Sequence, residues 1–281
     1  MMSAVVPRPA TISELLASYD GVLLDAYGVL VDGRGALPDA AALIAELTRR
    51  GTPYAIVTND ASRSQATYER RFAGLGLPIP GARVVSAGSL LPGYFRARGL
   101  TGARTCVLGT ADSIAFVVEG GGVPVEVEPG MELDAVAVCD DSGTPFLDGI
   151  ELALSAIVRA VEAGRTPALV VPNPDLVYPK VASELGFTAG AMALLIEAAL
   201  ARRFPSRGLV FDRLGKPAPD LFLAGQRQLG VERVVMIGDQ LETDVAGARA
   251  AGIDVALLAG VSRWDPQAAI TPTFLLDSIA P

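Results

Sequence analysis

Gly21-Val-Leu-Leu-Asp25 is a short apolar run that ends on a carboxylate, and Pro53-Tyr-Ala-Ile-Val57 repeats the pattern with Thr58 at its end. Neither run alternates polar and apolar residues, which is the pattern of a strand covered on both faces. Between them, Pro38 to Arg50 reads as an amphipathic helix, with Pro38 suited to the first helical position and Gly51 to the stop. Ser62 to Gly74 reads as the next helix. Strand, helix, strand, helix is the βαβ signature of a parallel sheet with helices on both sides. Val234-Val-Met-Ile237 and Ala168-Leu-Val-Val171 are apolar on both faces in the same way. The expected fold class is therefore α/β, with a doubly wound parallel sheet at its core.

The middle of the chain differs. Gly120-Gly-Gly122, the acidic Val125-Glu-Val-Glu-Pro129 and a second strand-helix-strand set from Ala135 to Val171 predict a second α/β domain. Its entry is placed near Val84. Its exit is placed near Phe204-Pro205-Ser206, where Pro and Ser interrupt the helical pattern of Ala191 to Arg203. Residues 1–83 and 206–281 then build the core together, and 84–205 form an insertion. The three glycines lack the GxGxxG spacing of a nucleotide loop and read as a turn.

Composition excludes several classes. Against 23 Lys and Arg stand 31 Asp and Glu, a net charge of −8 over 281 residues, and the longest basic clusters are pairs such as Arg49-Arg50. A nucleic-acid binder needs clustered cations, so a small molecule is the expected partner. The chain has no His, which removes imidazole catalysis and His-ligated metals. Cys106 and Cys139 form no CxxC pair, so neither a disulfide framework nor a thiolate metal site is expected. Met1 to Leu16 has no apolar h-region, and no run free of Asp, Glu, Lys and Arg is longer than twelve residues, the length of Leu185 to Ile196. No signal peptide and no membrane span are expected, and the reading is cytoplasmic.

Four features stand where a doubly wound sheet exposes its functional edge, the carboxyl ends of strands. Asp25, followed by Ala26-Tyr27-Gly28, is a nucleophile, a cation holder or a turn cap. Thr58 leads into Asn59-Asp60-Ala61-Ser62, which reads as an anion cradle or as a helix cap. Lys216, in Gly215-Lys-Pro-Ala-Pro-Asp220, is an anion contact or a solvated loop lysine. Gly238-Asp239-Gln-Leu-Glu-Thr-Asp244 carries two carboxylates five apart, which suits Mg²⁺, although Asp244 alone would also complement a helix dipole. Trp264, past a strand exit, reads as packing or an interface.

Taken in order, Asp25, Thr58, Lys216, Asp239 and Asp244 resemble the four motifs of the haloacid dehalogenase superfamily. Val171-Pro-Asn-Pro-Asp175 and the ending Gly238 to Gly252 are similar to its class IIA branch, which holds p-nitrophenyl phosphatase, pyridoxal phosphatase and nucleotide phosphatase relatives. The resemblance implies a hydrolase of a small phosphorylated metabolite that forms an aspartyl-phosphate on Asp25. It implies Mg²⁺ held by Asp25, the Tyr27 carbonyl and Asp239, with Asp244 beside them. It implies phosphoryl binding by Thr58, Asn59 and Lys216, substrate selection by Asn173 and Asp175 of an α/β cap, and a homodimer through that cap. Electrostatics point the same way, because a carboxylate that attacks a dianion needs nearby cations.

One position departs from the family. Its phosphatases place a second Asp two residues after the nucleophile as general acid and base, and here that position is Tyr27. Losing such a group costs about 10²- to 10⁴-fold in rate. Asp-Ala-Tyr-Gly is also similar to the first motif of the true haloacid dehalogenases, whose leaving halide takes no proton. Three readings follow. The first is a selective phosphatase, whose substrate carries a good leaving group such as an acyl or aryl phosphate, or whose proton comes from the Tyr27 phenol or Asp60. The second is a dehalogenase, against which stand the metal-type Gly238-Asp239 and the class IIA insertion. The third is a catalytically weak homologue that binds a phosphorylated ligand.

Overall fold

The computed structural model describes residues 6–181, 184–260 and 262–281. These form two compact units, one within 1–58, 65–85 and 216–281, the other within 59–64 and 86–215.

The first unit is built on a seven-stranded sheet in the order Arg8–Pro9, Phe274–Leu276, Asp254–Leu258, Val234–Gly238, Gly21–Leu24, Tyr54–Thr58, Val84–Ser86. The two central strands run parallel, with Ile237 opposite Leu24. From Gly21–Leu24 the chain steps outward through Tyr54–Thr58, and from Val234–Gly238 it steps outward the other way through Asp254–Leu258. The winding reverses between the central pair, and such a reversal opens a crevice at the carboxyl ends of the strands. Asp25 and Asp239 are the residues that follow those ends. The four central strands are apolar on both faces because helices cover both, as their continuous apolar runs predict.

Helix Ala40–Arg50 turns Leu43, Ile44 and Leu47 into the core and closes at Gly51, whose φ of 68° lets its N–H donate to the Leu47 and Thr48 carbonyls. It does not begin at Pro38. The Ala40 N–H donates to the Leu37 carbonyl, and Asp39 sits at φ 65°, so Pro38 occupies the second place of a tight turn that precedes the helix. The following helix starts at Gln65 rather than Ser62. Asp60 Oδ1 accepts both the Ser62 N–H and its hydroxyl at 2.6 Å, which holds Asn59 to Ser64 as a loop.

The second unit has a five-stranded parallel sheet in the order Asp212–Arg213, Ala168–Val171, Ala135–Val138, Arg104–Leu108, Val123–Val125. Helices Phe146–Glu162 and Ala189–Arg203 cover it with Ile150, Ala153, Ile157, Met192 and Ile196. A separate hairpin joins Val177–Val181 to Glu184–Phe187. The unit extends to Gly215, ten residues past the expected 205, because Asp212–Arg213 adds as an edge strand on Ala168–Val171. Pro205-Ser206 ends a helix and not the unit. Gly121 makes the expected turn at φ 88°. Cys106 and Cys139 are free and buried, and burial pushes the Cys106 thiol up to about 12. Among the described residues no helix is long and apolar enough to cross a membrane.

Gly51 has open space where a Cβ would stand, so its conformation alone demands glycine. Gly51→Ala is expected to lower unfolding stability by about 1–2 kcal/mol, with Gly51→Asn costing less, as read from the urea midpoint.

Candidate active site

The site grows from the two central strands of the first unit. The Asp25 N–H donates to the Ile237 carbonyl at 2.9 Å, so Asp25 and Asp239 leave the sheet side by side. Gly28, at φ 91°, then turns the chain back, its N–H donating to the Val31 carbonyl at 2.9 Å. A Cβ on Gly28 would overlap the Asp239 carboxylate. Both conformation and space therefore demand glycine at this position.

Beyond Asp239, Leu241–Val245 forms a single π turn in which the Asp244 and Val245 N–H groups both donate to the Gln240 carbonyl at 3.1 Å. The turn brings the Asp244 side chain back to the strand end. Asp244 Oδ2 accepts from the backbone N–H of Asp239 at 3.1 Å and of Gln240 at 3.2 Å. Asp244 Oδ1 accepts from Lys216 Nζ at 2.8 Å, and the same ammonium lies 2.8 Å from Asp25 Oδ1. Asp25 Oδ1 also accepts from the Ala26 N–H at 2.7 Å. Asp244 thus does more than complement a helix dipole, since it ties Lys216 to the loop that carries Asp239. Sequence reasoning missed Ser262, whose N–H donates to the Asp239 carbonyl at 3.0 Å and whose Oγ accepts from the Leu241 N–H at 3.1 Å. A serine past a strand end has no spacing that would have marked it.

Asp25, Lys216, Asp239 and Asp244 are all at most 4% exposed. Burial does most to raise the Asp25 carboxyl, the Lys216 ammonium draws it back, and Asp244 and Asp239 raise it further, leaving it at about 8. Burial alone would lower the Lys216 ammonium, but Asp244 and Asp25 outweigh it and hold the group above its ordinary range. Each of Asp25, Asp239 and Asp244 offers an oxygen within 4.8 Å of the others. This all-oxygen set fits a hard divalent cation such as Mg²⁺. With every group ionised, three carboxylates against one ammonium leave an excess negative charge for such an ion to balance.

Thr58 is buried at the end of Tyr54–Thr58, the strand beside Gly21–Leu24. Tyr27 is half-buried, bridges to Val31 through its backbone and packs against the core of the first unit. The remaining expected residues gather in the second unit. Asn59 Nδ2 donates to Asp175 Oδ1 at 2.9 Å, the Asp175 N–H donates to Asn173 Oδ1 at 3.1 Å, and Asn173 Nδ2 donates to Thr188 Oγ1 at 3.2 Å. The structure therefore places Asn59 with Asn173 and Asp175. Trp264 is half-buried.

Residues 22–123 match the family model described as haloacid dehalogenase-like hydrolase, and residues 213–281 match one described as HAD-hydrolase-like. Mouse chronophin is 28% identical over 289 residues, covering 97% of this chain and 95% of its own. The crystal structure of a possible sugar phosphatase of the HAD superfamily from Cytophaga hutchinsonii superposes with a TM-score of 0.84 at 28% identity, covering 98% of this chain and 99% of its own. Glycerol phosphate phosphatase from Mycobacterium tuberculosis, in complex with magnesium, gives 0.77 at 25% identity, covering 95% of this chain and 76% of its own. The chain belongs to the haloacid dehalogenase-like hydrolases, in their class IIA branch, and it is a hydrolase.

The carboxylate cluster has a consequence for stability. A folded Asp25 keeps its proton up to about pH 8, whereas in the unfolded chain a carboxyl releases it near 4. Between these values the folded state binds more protons, so unfolding free energy falls as pH rises. Without divalent cations, the urea midpoint is expected to fall from about pH 5 to about 8, and Asp25→Asn is expected to flatten that slope.

Proposed function

We propose that the protein is a Mg²⁺-dependent phosphohydrolase of a small phosphorylated metabolite, with Asp25 as the nucleophile. The observation that carries the reading is the buried Lys216 ammonium 2.8 Å from both Asp25 and Asp244, with Asp239 in the same cluster. A carboxylate placed there meets a phosphate dianion only if cations offset the repulsion. Asp25 and Asp239, with the Tyr27 carbonyl, would hold Mg²⁺, which when bound supplies charge neutralisation and polarises a phosphoryl oxygen.

Asp25 then forms a bond to phosphorus while the bond to the leaving oxygen breaks. Lys216 balances charge on the phosphoryl oxygens and draws the Asp25 carboxyl toward its ionised form, and the Thr58 hydroxyl, next along the sheet edge, binds a second phosphoryl oxygen. Asp244 serves as a positioning residue, since its oxygens orient Lys216 and the Asp239 loop. Asn59 supports the second unit through Asp175, which with Asn173 belongs to the loop that would select the substrate. The relatives named as phosphatases support a phosphorylated small molecule as the substrate class. Exposed Leu147, Leu185 and Phe187 of the second unit support a homodimer through it, which sedimentation tests.

Hydrolysis of p-nitrophenyl phosphate and acetyl phosphate, followed with Mg²⁺ and with EDTA, tests the function. Activity is expected only with Mg²⁺. Asp25→Asn is expected to fall to background, and Thr58→Val to lose about 10²-fold or more in kcat. Hydrolysis that survives Asp25→Asn, or chloride release from a 2-chloroacid in place of phosphate release, would sink the reading.

A further inference from the structure

Hydrolysis through an aspartyl-phosphate needs proton chemistry twice. An acid must help the leaving oxygen depart, and a base must take a proton from the water that attacks the phosphoenzyme. The groups present supply little of the second. The chain has no His. The Lys216 ammonium is ion-paired with Asp25 and Asp244, at 2.8 Å from each. Asp244 has both oxygens engaged by Lys216 and by two backbone N–H groups. Asp239 belongs to the cation cluster. Asp60, a carboxylate of the loop after Thr58, accepts from the Ser62 N–H and hydroxyl on Oδ1 and from Arg63 on Oδ2 at 2.7 Å. It is an anchored ion-pair acceptor. Tyr27 stands at the place of the expected second carboxylate with its side chain packed against the core.

We propose that Asp25 is phosphorylated faster than the phosphoenzyme is hydrolysed, so that phosphorylated Asp25 is the species that accumulates in turnover, and that the substrate is an acyl phosphate. This inference rests on the reading of Asp25 as nucleophile. In the first step an Asp25 oxygen bonds to phosphorus and the bond from phosphorus to the leaving oxygen breaks. The electron pair stays on that oxygen, which departs as a stable carboxylate and needs no proton. An alkoxide would need one, which disfavours alkyl phosphates. In the second step a water oxygen bonds to phosphorus and the phosphorus–Asp25 bond breaks. The Asp25 carboxylate is restored and both water protons stay with inorganic phosphate. With none of these described groups positioned as a base, this second step is slowed by the loss typical of a missing general base, about 10²- to 10⁴-fold.

The test is rapid-quench turnover of p-nitrophenyl phosphate and acetyl phosphate by the full chain with Mg²⁺, read by nitrophenolate release and by intact-protein mass. The expected result is a burst near one equivalent of nitrophenolate per chain and a hydroxylamine-labile phosphoryl adduct on the wild-type protein. Acetyl phosphate should turn over far better than glycerol phosphate. Tyr27→Asp is expected to remove the burst by speeding the second step about 10²-fold or more, and Tyr27→Phe to keep it. Turnover that depends on Asp25 yet shows neither burst nor adduct would overturn this inference and leave the phosphohydrolase standing. A burst lost in Tyr27→Phe would also overturn it, by giving the phenol the role denied here. Absence of any turnover or adduct dependent on Asp25 would overturn both. The wild-type burst and adduct need no variant to fold.

Discussion

The Lys216 ammonium, buried between the Asp25 and Asp244 carboxylates, is the interaction on which the first unit's functional edge depends. Three carboxylates so close together and so dry would repel strongly without it, and desolvating each ion costs several kcal/mol in its own right. The ammonium offsets part of that cost and fixes where the carboxylates point. It also joins distant parts of the chain, since Asp25 follows an early strand while Lys216 and Asp244 come after residue 215. Removing one partner of such a group costs more than the pair contributes, because it leaves a buried charge uncompensated.

Around this ion group the backbone acts as a scaffold of fixed dipoles. The π turn at Leu241–Val245 returns Asp244 to the end of its own strand, where it accepts the N–H groups of Asp239 and Gln240. Ser262 secures the same loop through the Asp239 carbonyl and the Leu241 N–H. Gly28 removes a Cβ that would overlap the Asp239 carboxylate. Each device leaves the Asp239 carboxylate beside Asp25, which suits an oxygen ligand of a hard cation.

The chemistry that the site lacks is as informative as the chemistry it has. An aromatic ring at position 27 fills space against the core instead of presenting a second carboxylate. The chain has no histidine to serve as a base in its place. Asn59 is equally instructive, because its carboxamide is bonded to Asp175 within the second unit. Its place after Thr58 in the sequence says little about which partner it finds in space.

The sequence by itself determined the α/β class, the parallel strands and the residues of the ion group. Continuous apolar runs that end at Asp25, Thr58 and Asp239 need helices on both faces, and a doubly wound sheet places strand ends at one edge. Local punctuation was legible where one residue type is required, as at Gly51. It failed where a competing bond decided, as when the Leu37–Ala40 turn displaced the start of a helix, or when Asp60 captured Ser62 and delayed the next one. The tertiary structure alone decided that Asp244 binds Lys216, that Ser262 holds the Asp239 loop, and that Asp212–Arg213 carries the second unit on to Gly215. Those outcomes depend on pairings between residues far apart in the chain, which local pattern does not encode. Periodicity reports which face a residue turns to the core, and only the folded chain settles which polar groups meet there.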